Sequence, residues 1–171
     1  MAGLLLSTSD ALDRLCRWGA LAGVVLMVAL TAIQVVARYV LSDPPAWTEE
    51  AARYAMIWSG MLGATVAFRW RRDPVLVRLR FVEEGRGLTT GRILRALAAV
   101  LFLAPIWLYS LLGPNFDIGR GFLARSAERT AEVIGLPMMW FTCIVPIAIT
   151  IIFVHVAAQL AGARVDSGSE P

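Results

Sequence analysis

The chain has 171 residues, 58% of them hydrophobic, and a formal net charge of +3. Soluble domains use roughly 45–50% apolar residues, so the excess here indicates a protein that lipid must cover. All the basic residues are arginines, and none lies in a soluble domain, which argues against a nucleic-acid-binding protein. A membrane-crossing helix needs about 20 apolar residues, so we expect a single membrane domain, residues 1–171, with about four crossings.

Four apolar stretches are each long enough to cross a bilayer. They are residues 18–40, 47–68, 93–112 and 138–160. An unpaired backbone amide costs several kcal/mol in hydrocarbon, so each crossing must be helical. The sequence therefore predicts an all-α integral membrane protein with four transmembrane helices.

The arginines predict the orientation, because cytoplasmic loops carry an excess of positive charge. Arg14 and Arg17 precede the first crossing, eight arginines fill or border the loop between the second and third, and Arg164 follows the fourth. Both termini and that loop should therefore be cytoplasmic. The residues before the first crossing lack a basic n-region, and Asp10 and Asp13 interrupt their apolar run, so we expect an uncleaved signal anchor.

Two connections are expected to lie at the membrane surface. Residues 69–92 mix arginines with large apolar side chains, which favours a loop lying on the anionic inner leaflet. Residues 115–135 carry apolar residues at spacings of three to seven, which predicts a short amphipathic helix on the periplasmic side. The short outer link, residues 41–46, contains Pro44 and Pro45, which should end one helix and position the next, with Thr48 as its cap.

Charged residues gather where this outer link meets the second crossing. Arg38 precedes the link, Trp47 follows it, and Arg53 lies four residues after Glu49 and three after Glu50, spacings that permit pairing on one helix face. Charges next to hydrocarbon are usually paired and often functional. The group is a candidate structural clamp joining crossings one and two, a partner-docking surface or, as a third alternative, part of an ion path.

Small residues recur every fourth position along the second crossing. They are Ala51, Ala55, Ser59, Gly63 and Ala67. Such a row lets two helix backbones approach closely. Packing inside this chain and packing against another membrane protein are equally consistent with it.

The sequence contains no constellation that would support catalysis. Its one histidine, His155, excludes a pair of histidines holding a haem or a metal, and no glycine-rich phosphate loop or metal-spaced cluster is present. We therefore expect no cofactor, no metal and no enzymatic activity. A membrane-anchor subunit of an oxidoreductase, which commonly has four helices, and a small autonomous transporter remain as alternatives.

Two segments resemble the small membrane subunit of tripartite ATP-independent periplasmic (TRAP) transporters, the DctQ-like family. The first is Arg38-Tyr39 followed by Trp47-Thr48-Glu49-Glu50-Ala51-Ala52-Arg53-Tyr54, with Trp58, Gly60, Gly63, Ala64 and Ala67. The second is Gly135-Leu136-Pro137-Met138-Met139-Trp140 with Pro146. The likeness extends over residues 12–160. It departs at residues 71–75, where family members often carry a histidine-containing stretch.

The resemblance implies an assembly with a large membrane subunit and a periplasmic solute-binding protein in the bacterial inner membrane. In such an assembly the small subunit is a non-catalytic scaffold for an elevator-type transporter that takes up an organic acid with sodium. It would also offer part of the surface on which the binding protein docks. The periplasmic docking candidates are Arg120, Arg125 and Arg129.

Overall fold

The structure is a computed structural model that describes residues 2–70 and 87–161. Within these ranges the regular elements are helices, and the one β-bridge, between Thr130 and Pro137, is isolated. The helices are α1 (Ala2–Val36), α2 (Ala46–Arg69), α3 (Gly87–Leu111), α4 (Phe122–Ala127), α5 (Met139–Thr142) and α6 (Ile144–Leu160). The predicted all-α class is therefore confirmed.

Three helical stretches of the described chain are long and apolar enough to cross a membrane. They are Gly3–Leu41, Ile93–Leu111 and Met139–Leu160. Helix α2 has 24 residues and covers the predicted crossing 47–68, but Glu49, Glu50 and Arg53 near its start lower its mean hydropathy, and it is not among the three. The fourth crossing therefore stays a prediction.

Helix α1 is longer than predicted. It begins at Ala2, includes Asp10 and Asp13, and continues past Val36 as a π-helical turn, Ala37–Leu41, which ends at Ser42 with a φ of 57°. Helix α2 then starts at Ala46 with Pro45 at its N-cap. Thr48 is consequently not the cap that the sequence predicted: it lies inside the first turn, where its hydroxyl donates to the Pro45 carbonyl over 2.7 Å.

Helices α1 and α2 form an antiparallel hairpin whose backbones approach closely at two glycines. A Cβ added at Gly23 would lie 2.9 Å from the Ser59 Cβ, and one added at Gly19 would lie 2.8 Å from the Leu62 Cδ1. Helix α6 packs against α1, α2 and α3, and its Ile144, Ala148 and His155 are fully buried. The core therefore lies around α6, while α1 and α3 expose large apolar side chains on their outer faces.

The last predicted crossing, residues 138–160, consists of two helices. Cys143 separates α5 from α6. Pro146 has no amide hydrogen to donate to the carbonyl of Thr142, four residues earlier, so the regular ladder is broken at this point.

The predicted amphipathic helix over residues 115–135 is wrong in extent. Only α4, six residues long, is α-helical, and it follows two short 3₁₀ turns, Pro114–Phe116 and Ile118–Arg120. Gly113 and Gly121 permit the close backbone approach within this loop, because a Cβ at either position would lie 2.3 Å from backbone atoms across it. Most of the predicted interfacial loop, residues 71–86, and Arg164 lie outside the described residues.

Candidate functional site

Glu50 joins the start of α2 to residues 112–138, which connect α3 to α5 and which we call the outer segment after the predicted orientation. Its Oε1 accepts hydrogen bonds from the Glu132 amide and the Tyr54 hydroxyl, each 3.0 Å long. Its Oε2 accepts from the amides of Val133, at 3.0 Å, and Ile134, at 2.8 Å. Consecutive backbone amides that converge in this way form an anion-binding concavity. The buried carboxylate is thereby stabilised, and the amides, which have no place in a helix or sheet, gain an acceptor.

Tyr54 extends this link to α5. Its ring stacks on Phe141 with centroids 3.7 Å apart, and its hydroxyl, besides donating to Glu50, lies 3.7 Å from the sulfur of Met138. The residues lie one helical turn apart in α2, which places both side chains on the same face. We call Glu50, Tyr54 and the amides of residues 132–134 the outer anchor.

The neighbouring charged residues are arranged differently. Glu49 and Arg53 form an ion pair of 3.4 Å with both side chains about 60% exposed, and the amide of Gln34 in α1 lies 3.5 Å from Glu49. Arg38 is exposed and has no ion pair within the described parts of the chain, and Trp47 is half exposed. The predicted group is thus divided: Glu50 is committed to the outer anchor, whereas the others face outward.

The small-residue row of α2 does not form a single surface. Ala55 and Ser59 are buried opposite Gly23 of α1. Ala51 and Ala55 contribute to an apolar groove of about 730 Å³ that is lined by residues of α1, α2, α5, α6 and the segment before α5. Gly63 and Ala67 line a separate cavity near the other end of α2. The described structure thus uses the middle of the row for packing within this chain.

The three arginines proposed for docking lie on the outer segment and are exposed. The Nε of Arg120 lies 3.5 Å from the Asp117 carboxylate, Arg125 is in α4, and Arg129 follows that helix. The carbonyl of Arg129 accepts a 2.8 Å hydrogen bond from the Met138 amide, and Ala131 and Leu136 are also joined by a backbone hydrogen bond of 2.8 Å. Residues 129–138 are therefore closed by their own backbone hydrogen bonds on both sides of Glu50's amide partners.

A second polar cluster, the inner cluster, lies at the opposite end of the hairpin. The carboxylate of Asp13 is buried and receives Arg17 at 2.5 Å, the Trp70 indole N–H at 3.2 Å and Arg69 at 4.0 Å. Arg69 also pairs with Asp10 and donates to the Ser9 carbonyl over 2.5 Å. These contacts join the start of α1 to the end of α2.

Helix α6 enters the inner cluster through His155. The Ser9 hydroxyl and the His155 Nδ1 are 2.8 Å apart and buried. The Nε2 atoms of His155 and Gln159 are buried and have no hydrogen-bond partner within residues 2–70 and 87–161. Sequence reasoning did not find this cluster, although Ser9, Asp13 and Arg17 are spaced by four residues and therefore lie near one face of α1, a pattern that signals a polar stripe.

The chemistry available to these side chains is structural. Glu50 already accepts from four donors, Cys16 and Cys143 are free thiols, and no group of three or more histidine, cysteine, aspartate or glutamate residues within 2–70 and 87–161 is placed to hold a metal ion. Ser59, Thr65 and Ser110, buried along the helices, each donate to a carbonyl three residues earlier. The polar clusters therefore lie at the two ends of the bundle.

Apolar helices with polar anchors at their ends define a multi-pass helical membrane protein. A comparison with curated proteins gave no match. Residues 27–165 match the family model for "Tripartite ATP-independent periplasmic transporters, DctQ component", which covers most of the chain. The protein belongs to this family and is a TRAP transporter small membrane subunit, as the resemblance indicated.

Proposed function

We propose that this subunit is a non-catalytic scaffold with two partners. It braces the large elevator-type membrane subunit in the bacterial inner membrane, and it helps to dock the periplasmic solute-binding protein during sodium-coupled uptake of an organic acid. Four crossings with both termini in the cytoplasm belong to the same proposal. The observation that carries it is the outer anchor, because a docking surface must keep its shape while the transporting subunit moves.

The position of the arginines supports the docking role. Arg120, Arg125 and Arg129 are exposed on a segment whose backbone is tied to α2 through Glu50 and to α5 through Met138. Charges held on a pre-organised surface raise association rates and lose little entropy on binding. The exposed ion pair of Glu49 and Arg53 adds two charges to those of the three arginines, and we call these five residues the charged rim.

The apolar groove between α1 and α6 supports the bracing role. It lies open and is lined almost wholly by apolar side chains, including Leu26, Ala51 and Ile147. Helices in lipid associate through close van der Waals packing against such surfaces. We assign the groove to the large subunit, because Ser59, which packs against Gly23 of α1 within this chain, does not line it.

Co-expression with the large membrane protein that is encoded next to this chain tests the bracing role. We expect the two to co-purify, and we expect Ala51→Leu, which narrows the groove, to lower the yield of complex. Ala64→Leu is the matched control, because Ala64 is exposed and does not line the groove. Failure of the wild-type chain to associate would contradict the proposal, and solute accumulation by proteoliposomes holding this chain alone would favour an autonomous transporter.

Docking is tested on the assembled complex. Replacing Arg125 and Arg129 together by glutamate should weaken binding of the solute-binding protein without changing the yield of the membrane complex. The control is Arg14→Glu, which reverses the charge of an exposed arginine located between Asp13 and Arg17 of the inner cluster. If complexes with the wild type, the double variant and Arg14→Glu bound the solute-binding protein equally well, the docking role would be wrong and the bracing role would be unaffected. An absorbance spectrum with a Soret band would instead favour the oxidoreductase anchor.

A further inference from the structure

A cavity of about 480 Å³ lies beside the inner cluster, between α1 and the last turns of α2. Its lining is Arg17, Gly63, Val66, Ala67 and Trp70. One end is therefore cationic and aromatic and the other is apolar. Neither the outer anchor nor the groove assigned to the large subunit includes any of these residues.

Arg17 reaches this cavity with unused hydrogen-bonding capacity. Its Nη2 donates to Asp13, and its guanidinium lies 5.1 Å from the centre of the Trp70 ring, while about half of the side chain is exposed. Nη1 and Nε have no hydrogen-bond acceptor among the described residues. A guanidinium presents its donors in a fixed planar fork that matches phosphate, so the free donors of Arg17 suit a phosphate oxygen.

The apolar end of the cavity has room for a chain. A Cβ placed on Gly63 would meet no atom of the described residues within 4 Å, and Val66 and Ala67 continue the same wall one turn further along α2. Trp70, at the C-terminal end of α2, is the kind of side chain that lies at headgroup level in membrane proteins. A phosphate at Arg17 would therefore direct its attached hydrocarbon along Gly63 toward the membrane interior.

We propose that this cavity binds an anionic phospholipid of the inner leaflet, with its phosphate on Arg17 and one acyl chain along Gly63, Val66 and Ala67. The proposal rests on the proposed orientation, in which this end of the hairpin is cytoplasmic. Charge complementarity favours an anionic lipid, because Arg14 and Arg17 face outward here whereas Asp13 is buried and already neutralised. Basic pockets between helices on the cytoplasmic side bind such headgroups.

Native mass spectrometry of the purified chain in detergent tests the proposal with phosphatidylglycerol as the probe. We expect Arg17→Gln to weaken retention about fivefold, the effect of one basic residue at an anionic surface, and Arg14→Gln to weaken it less than about twofold. Gly63→Leu should displace the acyl chain, whereas Gly60→Leu should not. Gly60 also has no atom within 4 Å of an added Cβ, but it does not line the cavity.

Four outcomes would overturn this assignment. The first is retention of phosphatidylethanolamine as strong as that of phosphatidylglycerol, and the second is competition by inorganic phosphate as effective as competition by the lipid. The third is equal weakening by Arg17→Gln and Arg14→Gln, and the fourth is equal weakening by Gly63→Leu and Gly60→Leu. Arg17→Gln keeps a donor for Asp13, and should it nevertheless lose helicity, the glycine pair decides alone. The assay involves neither the large subunit nor the orientation in a membrane, so its failure is distinguishable from failure of the proposed function.

Discussion

The outer anchor and the inner cluster stabilise opposite ends of the same helices by different means. At the outer end one carboxylate, Glu50, accepts from three backbone amides of an irregular segment. At the inner end side chains meet side chains, with Asp13 receiving Arg17 and Trp70. The first arrangement holds a loop of almost any sequence, whereas the second requires particular partners on two helices.

This difference indicates what each end is built to hold. The amides of residues 132–134 have no helical or sheet partners, so without Glu50 they would be buried and unsatisfied or exposed to water. The inner cluster joins segments that are already helical, since Asp13 lies within α1 and Arg69 ends α2. Losing the outer anchor should therefore free a segment, whereas losing the inner cluster should loosen helix packing.

The largest effect is expected from Glu50→Gln. Glutamine retains one acceptor oxygen and places an NH₂ group against backbone N–H donors. The anchor therefore loses its negative charge and one of its two acceptor atoms. We expect hydrogen exchange at the amides of residues 132–134, followed by mass spectrometry, to become faster by about a hundredfold or more, because three hydrogen bonds to a charged acceptor are weakened together. Glu49→Gln, an exposed neighbour, should leave those amides unchanged, and equal exchange in both variants would contradict the anchor.

A smaller effect is expected from Asp13→Asn. The loss should be about 2 kcal/mol, below the cost of breaking a fully buried ion pair, because Arg17 and Arg69 both reach solvent. The measurement is the apparent melting temperature in detergent, with Asp10→Asn as the control at an exposed carboxylate of the same helix. If Asp10→Asn lowered the melting temperature as much as Asp13→Asn, the burial of Asp13 would not explain how the inner cluster stabilises the protein.

The sequence predicts the helices better than it predicts either polar cluster. Apolar length and the prolines locate the ends of α2 and of the last crossing to within one residue, whereas α3 begins six residues before the predicted start. The apolar spacing within residues 115–135 predicts a helix, but only the six residues of α4 are α-helical. The exact turns could not be predicted, since Gly113 and Gly121 matter through tertiary backbone contacts.

The two clusters were missed for different physical reasons. The amides that bind Glu50 follow it by 82 to 84 positions, and backbone donors leave no mark in a sequence. Asp13 was interpreted only as an interruption of an apolar run, because α1 was expected to begin after it. Once α1 is known to start at Ala2, Ser9, Asp13 and Arg17 form a visible polar stripe.

Gly23→Ala tests the packing between the two ends. The new methyl group would lie 2.9 Å from the Ser59 Cβ and 3.3 Å from the Ala55 carbonyl, so the α1–α2 hairpin must shift. Overpacking costs about 1–3 kcal/mol, and alanine recovers up to about 1 kcal/mol in helix propensity. We expect a net loss in melting temperature, whereas Gly60→Ala, which meets no neighbouring atom, should raise it. A rise in melting temperature for both variants would show that helix propensity outweighs packing at Gly23.

The smallest effect is expected from Arg53→Gln, because both members of its ion pair with Glu49 are mostly exposed. Exposed pairs contribute at most about 1 kcal/mol, so the melting temperature should hardly move. Binding of the solute-binding protein should nevertheless weaken, and the difference from wild type should shrink as salt screens the charged rim. A loss of stability as large as that of Asp13→Asn would show instead that this pair is part of the outer anchor.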